Sequence, residues 1–162
     1  MSKGKLSFMC STPRAGKSTY AKKWAAEKPM RVVVCGDAIR LALHGSRYNP
    51  LAETIVFGMQ HIFIRSLLQQ GYDVLFDDTN SSRISIQRLL EIDANATPVF
   101  IYTPVEVCKQ RAIESGQEDL IEVIDRIDKN IKEIQKVGFE EFVREIVREI
   151  KVRGNYECER TT

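Results

Sequence analysis

The sequence predicts an α/β fold: one parallel sheet of four to five strands with helices covering both faces. Three observations carry that expectation. Apolar runs of strand length recur at 5–10, 31–35, 73–78 and 98–103. Between them lie stretches of helical length with apolar residues at helical spacing. Strict alternation of the two kinds of segment favours parallel strands joined by crossover helices, because each helix must bury its apolar stripe against the sheet.

In chain order, "KLSFMC" (5–10) is a strand that runs into the loop "STPRAGKST". "STYAKKWAAEK" places Tyr20, Ala21, Trp24 and Ala25 at helical spacing and stops at Pro29. "RVVVC" (31–35) is rich in β-branched residues and fits a buried strand. Gly36 and Asp37 then open a short helix, "DAIRLAL", and "GSRYNP" (45–50) is a turn cluster. Residues 51–70 form a long helix with Ile55, Met59, Ile62, Phe63 and Leu67 on one face and Gly71 as its C-cap. "DVLFDD" (73–78) is the third strand, and "TNSS" leads into a helix over about 81–94. "PVFIYT" (98–103) is the fourth strand, and Pro104 opens another helix near its first position. "ESGQED" (114–119) is a polar break before a helix over 119–136, with Leu120, Val123, Ile124, Ile127 and Ile131 on one face. The tail "FEEFVREIVREIKV" fits an amphipathic helix through Ile150, or finishes as a strand at "IKV".

A chain of 162 residues is the size of one domain, 1–162, and roughly 70% of its unfolded surface can be buried without a staple. No apolar run approaches the ~20 residues that span a membrane, and the apolar part of "MSKGKLSFMC" is too short for a secretory signal. Cys10, Cys35, Cys108 and Cys158 form no C-x-x-C pair, and His44 and His61 have no cysteine at metal-ligand spacing. Reduced thiols and a cytoplasmic location are therefore expected. Charge is uneven: residues 1–50 carry ten Lys/Arg against two Asp/Glu, whereas residues 91–150 carry eight against fourteen. A basic first third suits a polyanionic ligand; lysines gathered on one solvated face account for it equally well.

In a parallel sheet, ligands bind beyond the carboxyl ends of the strands, and three polar clusters fall there. The first is the loop 11–18. Backbone N–H groups around residues 14–18, at a helix start, can point at phosphate oxygens, which makes Pro13, Arg14, Ala15, Gly16, Lys17, Ser18 and Thr19 the candidate nucleotide-binding residues. Lys17 brings charge to the β/γ phosphates, and Ser18 offers a hydroxyl to Mg²⁺. Ser11 stands where the motif has glycine, so the match is imperfect. The second cluster is Asp37, a carboxylate that can take a proton from an acceptor hydroxyl or cap its helix, with Arg40 three residues on. The third is Asp77, Asp78, Thr79 and Asn80. One aspartate can hold Mg²⁺ or its water shell, and alternation lets only one of the two face the loop; a turn aspartate bonding its own backbone is the plainer role. Arg111, on the helix after the fourth strand, can close over a transferring phosphoryl group or pair with Glu106 or Glu114.

From about residue 5 to residue 135 the chain resembles the kinase module of phage-type polynucleotide 5′-kinases, within the wider P-loop kinase group. "STPRAGKST", "GDAIR", "TIVFGMQHIFIRSLLQQGYDVLFDDTN" and "VEVCKQRAIESG" carry the resemblance. It implies a three-layer P-loop kinase fold with a lid at about 105–118 and a C-terminal helical segment at about 119–150. It also implies ATP and Mg²⁺ as cofactors and a 5′-hydroxyl DNA or RNA acceptor. Lys17 and Ser18 would bind phosphate and metal, and Asp37 would be the general base. Arg40 would contact an acceptor phosphate, Asp78 with Thr79 and Asn80 would form the "DTN" set that binds the substrate, Asp78 would also hold Mg²⁺ with Ser18, and Arg111 would be the lid arginine. Two departures stand out: Ser11 and Arg14 replace loop glycines, and Ser115 stands where a second lid arginine is common. No phosphatase domain is expected. Two other functions fit the same residues: a P-loop kinase of a nucleoside, nucleotide or other small alcohol, and a nucleotide-binding regulator with little transfer activity.

Overall fold

The structure, a computed structural model, describes residues 3–46 and 48–159, with side chains described as far as Glu149. Strands β1 (Leu6–Cys10), β2 (Arg31–Cys35), β3 (Asp73–Asp77) and β4 (Thr97–Phe100) form one sheet in the order β2-β3-β1-β4. All three pairings are parallel. The helices are α1 (Lys17–Ala26), α2 (Gly36–His44), α3 (Glu53–Gln69), α4 (Arg83–Ile92), α5 (Val105–Glu114), α6 (Ile121–Val137) and α7 (Phe139–Glu159). A single 3₁₀ turn, Glu118–Leu120, fills the polar break before α6.

Alternation along the strands builds two cores. Leu6, Phe8, Cys10, Val74 and Phe76 pack with Val56, Ile64 and Leu68 of α3, Ile86 and Leu89 of α4, Ile134 of α6 and Ile146 of α7. Met9 and Leu75 point the other way and pack on Ala21 and Trp24 of α1. Helices therefore cover both faces of the sheet. A third cluster, Ala15, Cys108, Ala112 and Ile124, joins α5 and α6 to the loop after β1.

The elements depart from expectation in four places, each with a local cause. Strand β4 ends at Phe100 rather than at residue 103, because its partner β1 ends at Cys10, paired with Phe100. Helix α3 is rotated by one residue: its buried face is Val56, Gln60, Ile64 and Leu68, while Ile55 and Ile62 are exposed. The run is apolar on most of its circumference, so two stripes compete, and the one that is buried contains a glutamine that an apolar pattern passes over. Gly71 lies one position beyond the cap residue, Gln70. There the Gly71 N–H donates to the Leu68 carbonyl and the Tyr72 N–H to the Leu67 carbonyl, the paired bonds of a Schellman stop. The tail is helical through Glu159, so "IKV" is not a strand.

Helix α7 belongs to the core. Phe139 meets the rings of Phe8 and Phe100 at 6.0 and 6.4 Å, and Ile146 is 1% exposed. Arg83 of α4 also pairs with Glu145 and Glu149. Ile146→Ala is expected to cost about 2–5 kcal/mol, the range for emptying a buried isoleucine site. Urea denaturation measures this as a lower midpoint at unchanged slope, and an unchanged midpoint would mean that α7 does not pack on the sheet.

Candidate active site

Residues 11–16 leave β1 and turn into α1. Gly16 is the N-cap at φ 100°, a left-handed conformation that glycine alone adopts without cost. Arg14 is also left-handed, at φ 64°. The loop thus keeps a glycine-type backbone at a position where the sequence has arginine, at roughly 1–2 kcal/mol. Ser11, at the other missing glycine, is fully buried and its Oγ has no partner among the described residues.

The loop carbonyls are drawn outward by side-chain donors. Lys17 Nζ donates to the Thr12 carbonyl at 3.1 Å, Arg111 Nη1 to that of Arg14 at 3.0 Å and Thr103 Oγ1 to that of Ala15 at 2.9 Å. The first helical N–H to find its acceptor is that of Tyr20, on the Gly16 carbonyl. The N–H groups of Lys17, Ser18 and Thr19 have no intrahelical partner, and no side chain caps them. Three unpartnered donors at the positive end of a helix dipole fit a phosphate group. Arg111 pairs with neither Glu106 nor Glu114; it is already docked on the loop.

Asp37 sits in the first turn of α2, but the cap is Cys35, so Asp37 is not a helix cap. Its carboxylate is 66% exposed, and Oδ1 accepts from Arg40 Nη1 at 2.8 Å. Oδ2 accepts no bond from the described residues. Arg40 is held in turn by Glu53, with Nε and Nη2 each donating at 2.8 Å. Three of its five donors are therefore spent on carboxylates. Glu53, 13 residues away across a turn, escaped the sequence expectations. Gln60 lies in the "GMQ" part of the resembling stretch, which assigned it no role; it is fully buried with neither amide atom partnered among the described residues. A Cβ on Gly36 would collide with Gln60 Nε2 and crowd Arg40 Nη1, so a side chain there would push these two ends away from the start of α2.

The third strand end divides its two carboxylates. Asp77 is buried and shares the sheet face of Leu75 and α1, toward Lys17. Burial pushes its carboxyl up, Lys17 opposes that, and Asp78 and Asp37 add to it. Burial conversely lowers the Lys17 ammonium, and Asp77, Asp78 and Asp37, in that order, raise it again. Asp78 turns toward Gly36 and Arg40 and takes the Thr79 N–H on Oδ1 at 2.7 Å. Of the two aspartates, Asp77 is thus the one on the loop's side of the sheet, while Asp78, the aspartate of "DTN", faces Gly36 and Arg40. Alternation from Leu75 was the available signal. Asn80 is buried, with Nδ2 donating to the carbonyls of Met9 and Asp78, so its amide ties strand ends together.

Beside Arg40 and Asp78 opens a cleft of about 470 Å³ between α3, α4 and α6, lined also by Phe57, His61, Arg88 and Arg126. Arg40 and the "DTN" set of Asp78, Thr79 and Asn80 all line it, whereas its helical walls, drawn from three separate helices, carry no sequence motif. Among the described residues, no three His, Cys, Asp or Glu side chains gather into a metal cage. The carboxylates of Asp77 and Asp78, beside Lys17, are hard oxygen donors of the kind that would suit Mg²⁺, which takes one or two carboxylates alongside substrate phosphates. No described helix is long and apolar enough to cross a membrane.

The model of the AAA domain family matches residues 6–133. An L-seryl-tRNA(Sec) kinase of Methanococcus maripaludis is 26% identical over an alignment of 178 residues, covering 95% of this chain and 69% of that protein. A chain of the Pnkp1/Rnl/Hen1 complex is 27% identical at TM-score 0.62. The match covers 68% of this chain but only 40% of that one. The APS kinase CysC of Mycobacterium tuberculosis, in complex with AMPPNP and APS, is 20% identical at TM-score 0.56 over 69% of this chain and 70% of its own. The shared architecture is the P-loop kinase fold.

The Arg40–Glu53 pair is 11% and 16% exposed. Removing Glu53 leaves the nearly buried Arg40 with only the exposed Asp37 as an ion-pair partner, so Glu53→Ala is expected to cost about 1–3 kcal/mol. Arg40 holds the Glu53 carboxyl below its ordinary value of 4.5. A depressed carboxyl contributes stability above its unfolded-state pKa and loses it as pH falls through the folded one. The stability gap between wild type and variant should therefore be full at neutral pH and narrow below about pH 4.5. A gap of the same size in acid would show that the ion pair is not its source.

Proposed function

The chain belongs to the AAA domain family, and from that premise we propose that it transfers the γ-phosphate of ATP to the 5′-hydroxyl of a DNA or RNA strand. One observation carries the reading: Asp37 presents an exposed, unbonded Oδ2 next to the strand end that bears Asp77 and Asp78, with the Lys17 loop one strand further on. A phosphotransferase with an alcohol acceptor needs that neighbourhood of phosphate cradle and proton acceptor. Two supports point to a nucleic acid. Relatives include a seryl-tRNA kinase and a chain of an RNA repair complex, and the first fifty residues are strongly basic.

In this reading the chain's residues divide the work. Bound Mg²⁺·ATP supplies the phosphoryl group and the divalent charge. The N–H groups of residues 14–19, including those of Lys17, Ser18 and Thr19, hold phosphate oxygens. Lys17 leaves the Thr12 carbonyl to meet the charge on the β/γ phosphates. Ser18, with Asp77 or Asp78, holds the metal or its waters. Asp37 Oδ2 would take the proton of the acceptor hydroxyl as its oxygen bonds to the γ-phosphorus and the bond from that phosphorus to the β–γ bridging oxygen breaks, releasing ADP; Arg40, fixed by Glu53, keeps the carboxylate turned that way. Arg111 closes on the phosphates from its position on the loop, while Thr79 and Asn80 shape the floor beside the acceptor.

The test is γ-phosphate transfer from labelled ATP to a panel of acceptors: 5′-hydroxyl DNA and RNA oligomers, nucleoside 3′-monophosphates, free nucleosides and small alcohols. Oligomers are expected to lead in kcat/KM. Preference for a phosphate-free small alcohol would replace this reading with that of a metabolite kinase. Asp37→Asn should keep ATP affinity and lose roughly 10²–10⁴-fold in turnover, the worth of a general base. A loss under about tenfold would remove Asp37 from that role. Lys17→Ala should lower turnover by about 10²–10³-fold without unfolding the chain, in line with loss of one preorganised donor.

A further inference from the structure

Arg88 of α4 and Arg126 of α6 face the same cleft from opposite helices. Among the described residues neither has an ion-pair partner, although carboxylates are close in sequence. Asp125 and Asp128 flank Arg126, yet Asp125 pairs with Lys109 and Asp128 with Lys132. Arg83, one turn before Arg88, is taken by Glu145 and Glu149. Arg88 lies over the ring of Phe57, 5.9 Å from its centroid, and the ring is 38% exposed. His61, one turn along α3 from Phe57, is held below its usual pKa by burial, then by Arg88 and Arg65, with Glu91 opposing. Its imidazole is therefore neutral near pH 7 and does not repel the arginines.

Among the described residues Asp78 is the only carboxylate lining the cleft, and Arg40, which also lines it, is neutralised by Glu53 and Asp37. Two uncompensated guanidinium groups in a concave wall create a local positive field that attracts an anion. A guanidinium fork matches phosphate oxygens, and an exposed aromatic face stacks a base. A volume of about 470 Å³ is far too large for one phosphate and suits a nucleotide unit. Arg40 connects the two places, since it lines the cleft and bonds Asp37 Oδ1.

We propose that this cleft seats the acceptor strand, with Arg88 and Arg126 gripping a backbone phosphate next to the reacting 5′-hydroxyl and Phe57 carrying a base. The proposal rests on the polynucleotide reading above and deepens it. It explains how a chain whose Arg40 is committed to carboxylates can still hold a strand. The grip comes from α4 and α6, outside the strand-end loops.

The experiment pairs binding with transfer. Binding is followed by fluorescence anisotropy of a labelled single-stranded 5′-hydroxyl oligomer, with a non-hydrolysable ATP analogue present. Arg88→Ala and Arg126→Ala should each weaken oligomer binding roughly 10- to 150-fold and leave KM for ATP unchanged. The salt dependence of log Kd should also flatten by about 0.7 for each strand phosphate that is no longer neutralised. Phe57→Ala should weaken binding by roughly five- to 150-fold. Arg144→Ala, which removes an exposed charge paired with Glu140 and Glu141, should bind like wild type. If wild type phosphorylates oligomers and a folded Arg88→Ala/Arg126→Ala double variant does so equally well, the cleft assignment is overturned and the kinase reading stands. If transfer reaches only nucleoside 3′-monophosphates but still depends on both arginines, the phosphate grip stands and the polynucleotide reading falls. If wild type neither binds nor phosphorylates any phosphate-bearing acceptor, both are overturned.

Discussion

The site depends on a tie between two strands. Asn80 Nδ2 reaches from the end of β3 to the Met9 carbonyl of β1 at 2.9 Å, and Cys10 Sγ returns a contact to the Asn80 carbonyl. The Ser11 N–H also donates, at a longer 3.4 Å, to the Thr79 carbonyl. Parallel strands bring their carboxyl ends to one edge, but the chains diverge once the ladder stops. These bonds extend the β1–β3 register past the last ladder pair, Phe8 with Phe76. They hold the start of the phosphate-type loop beside Asp77 and Asp78. Asn80 itself is left-handed at φ 35°, a conformation that asparagine tolerates better than most residues. A buried side-chain amide is therefore committed to scaffold rather than to a ligand, and its burial makes an unpaired replacement costly.

Around that frame the charges nearly cancel, with one imbalance. Lys17 and Asp77 are each disfavoured as ions by burial and each restored by the other. Such a pair is sensitive to the loss of either member, because the survivor is left charged in a poor solvent. Asp78 and Asp37 add two further negative charges to the same field. Arg40 offsets Asp37 and Arg111 sits on the loop, so the carboxylates of Asp77 and Asp78, nearest Lys17, are the negative charge a triphosphate meets there.

Local features of the fold were legible in the sequence, and relations across the fold were not. The four strands and the helix starting at Lys17 follow from short apolar runs and from Gly16-Lys17-Ser18, since both depend on neighbours in sequence. Arg14 looked like a defect in the loop, yet it adopts the backbone shape that glycine would. Gln60 was hidden because a polar residue on a core face breaks the apolar stripe used to find that face. Glu53 was hidden because its partner Arg40 lies across a turn on another helix. The choice between Asp77 and Asp78 was within reach, because Leu75 and Asp77 must share a face.

The largest difference concerns where positive charge acts. By composition the basic residues concentrate before residue 50, and the stretch 91–150 is acidic. In three dimensions Arg40, from the basic part, is surrounded by carboxylates, with its pKa pushed up chiefly by Glu53. Arg126, from the acidic part, is bare among the described residues because its neighbours Asp125 and Asp128 turn to Lys109 and Lys132. Net charge along a sequence counts ions; the field in a cleft depends on which ions are already paired. Helical geometry decides that pairing, since side chains three or four apart share a face while adjacent ones diverge. Asp128 meets Lys132 on that rule, and Arg126, two residues before Asp128, is left to face the cleft. The acidic half of the chain thus supplies one of the two arginines that give the cleft its positive field.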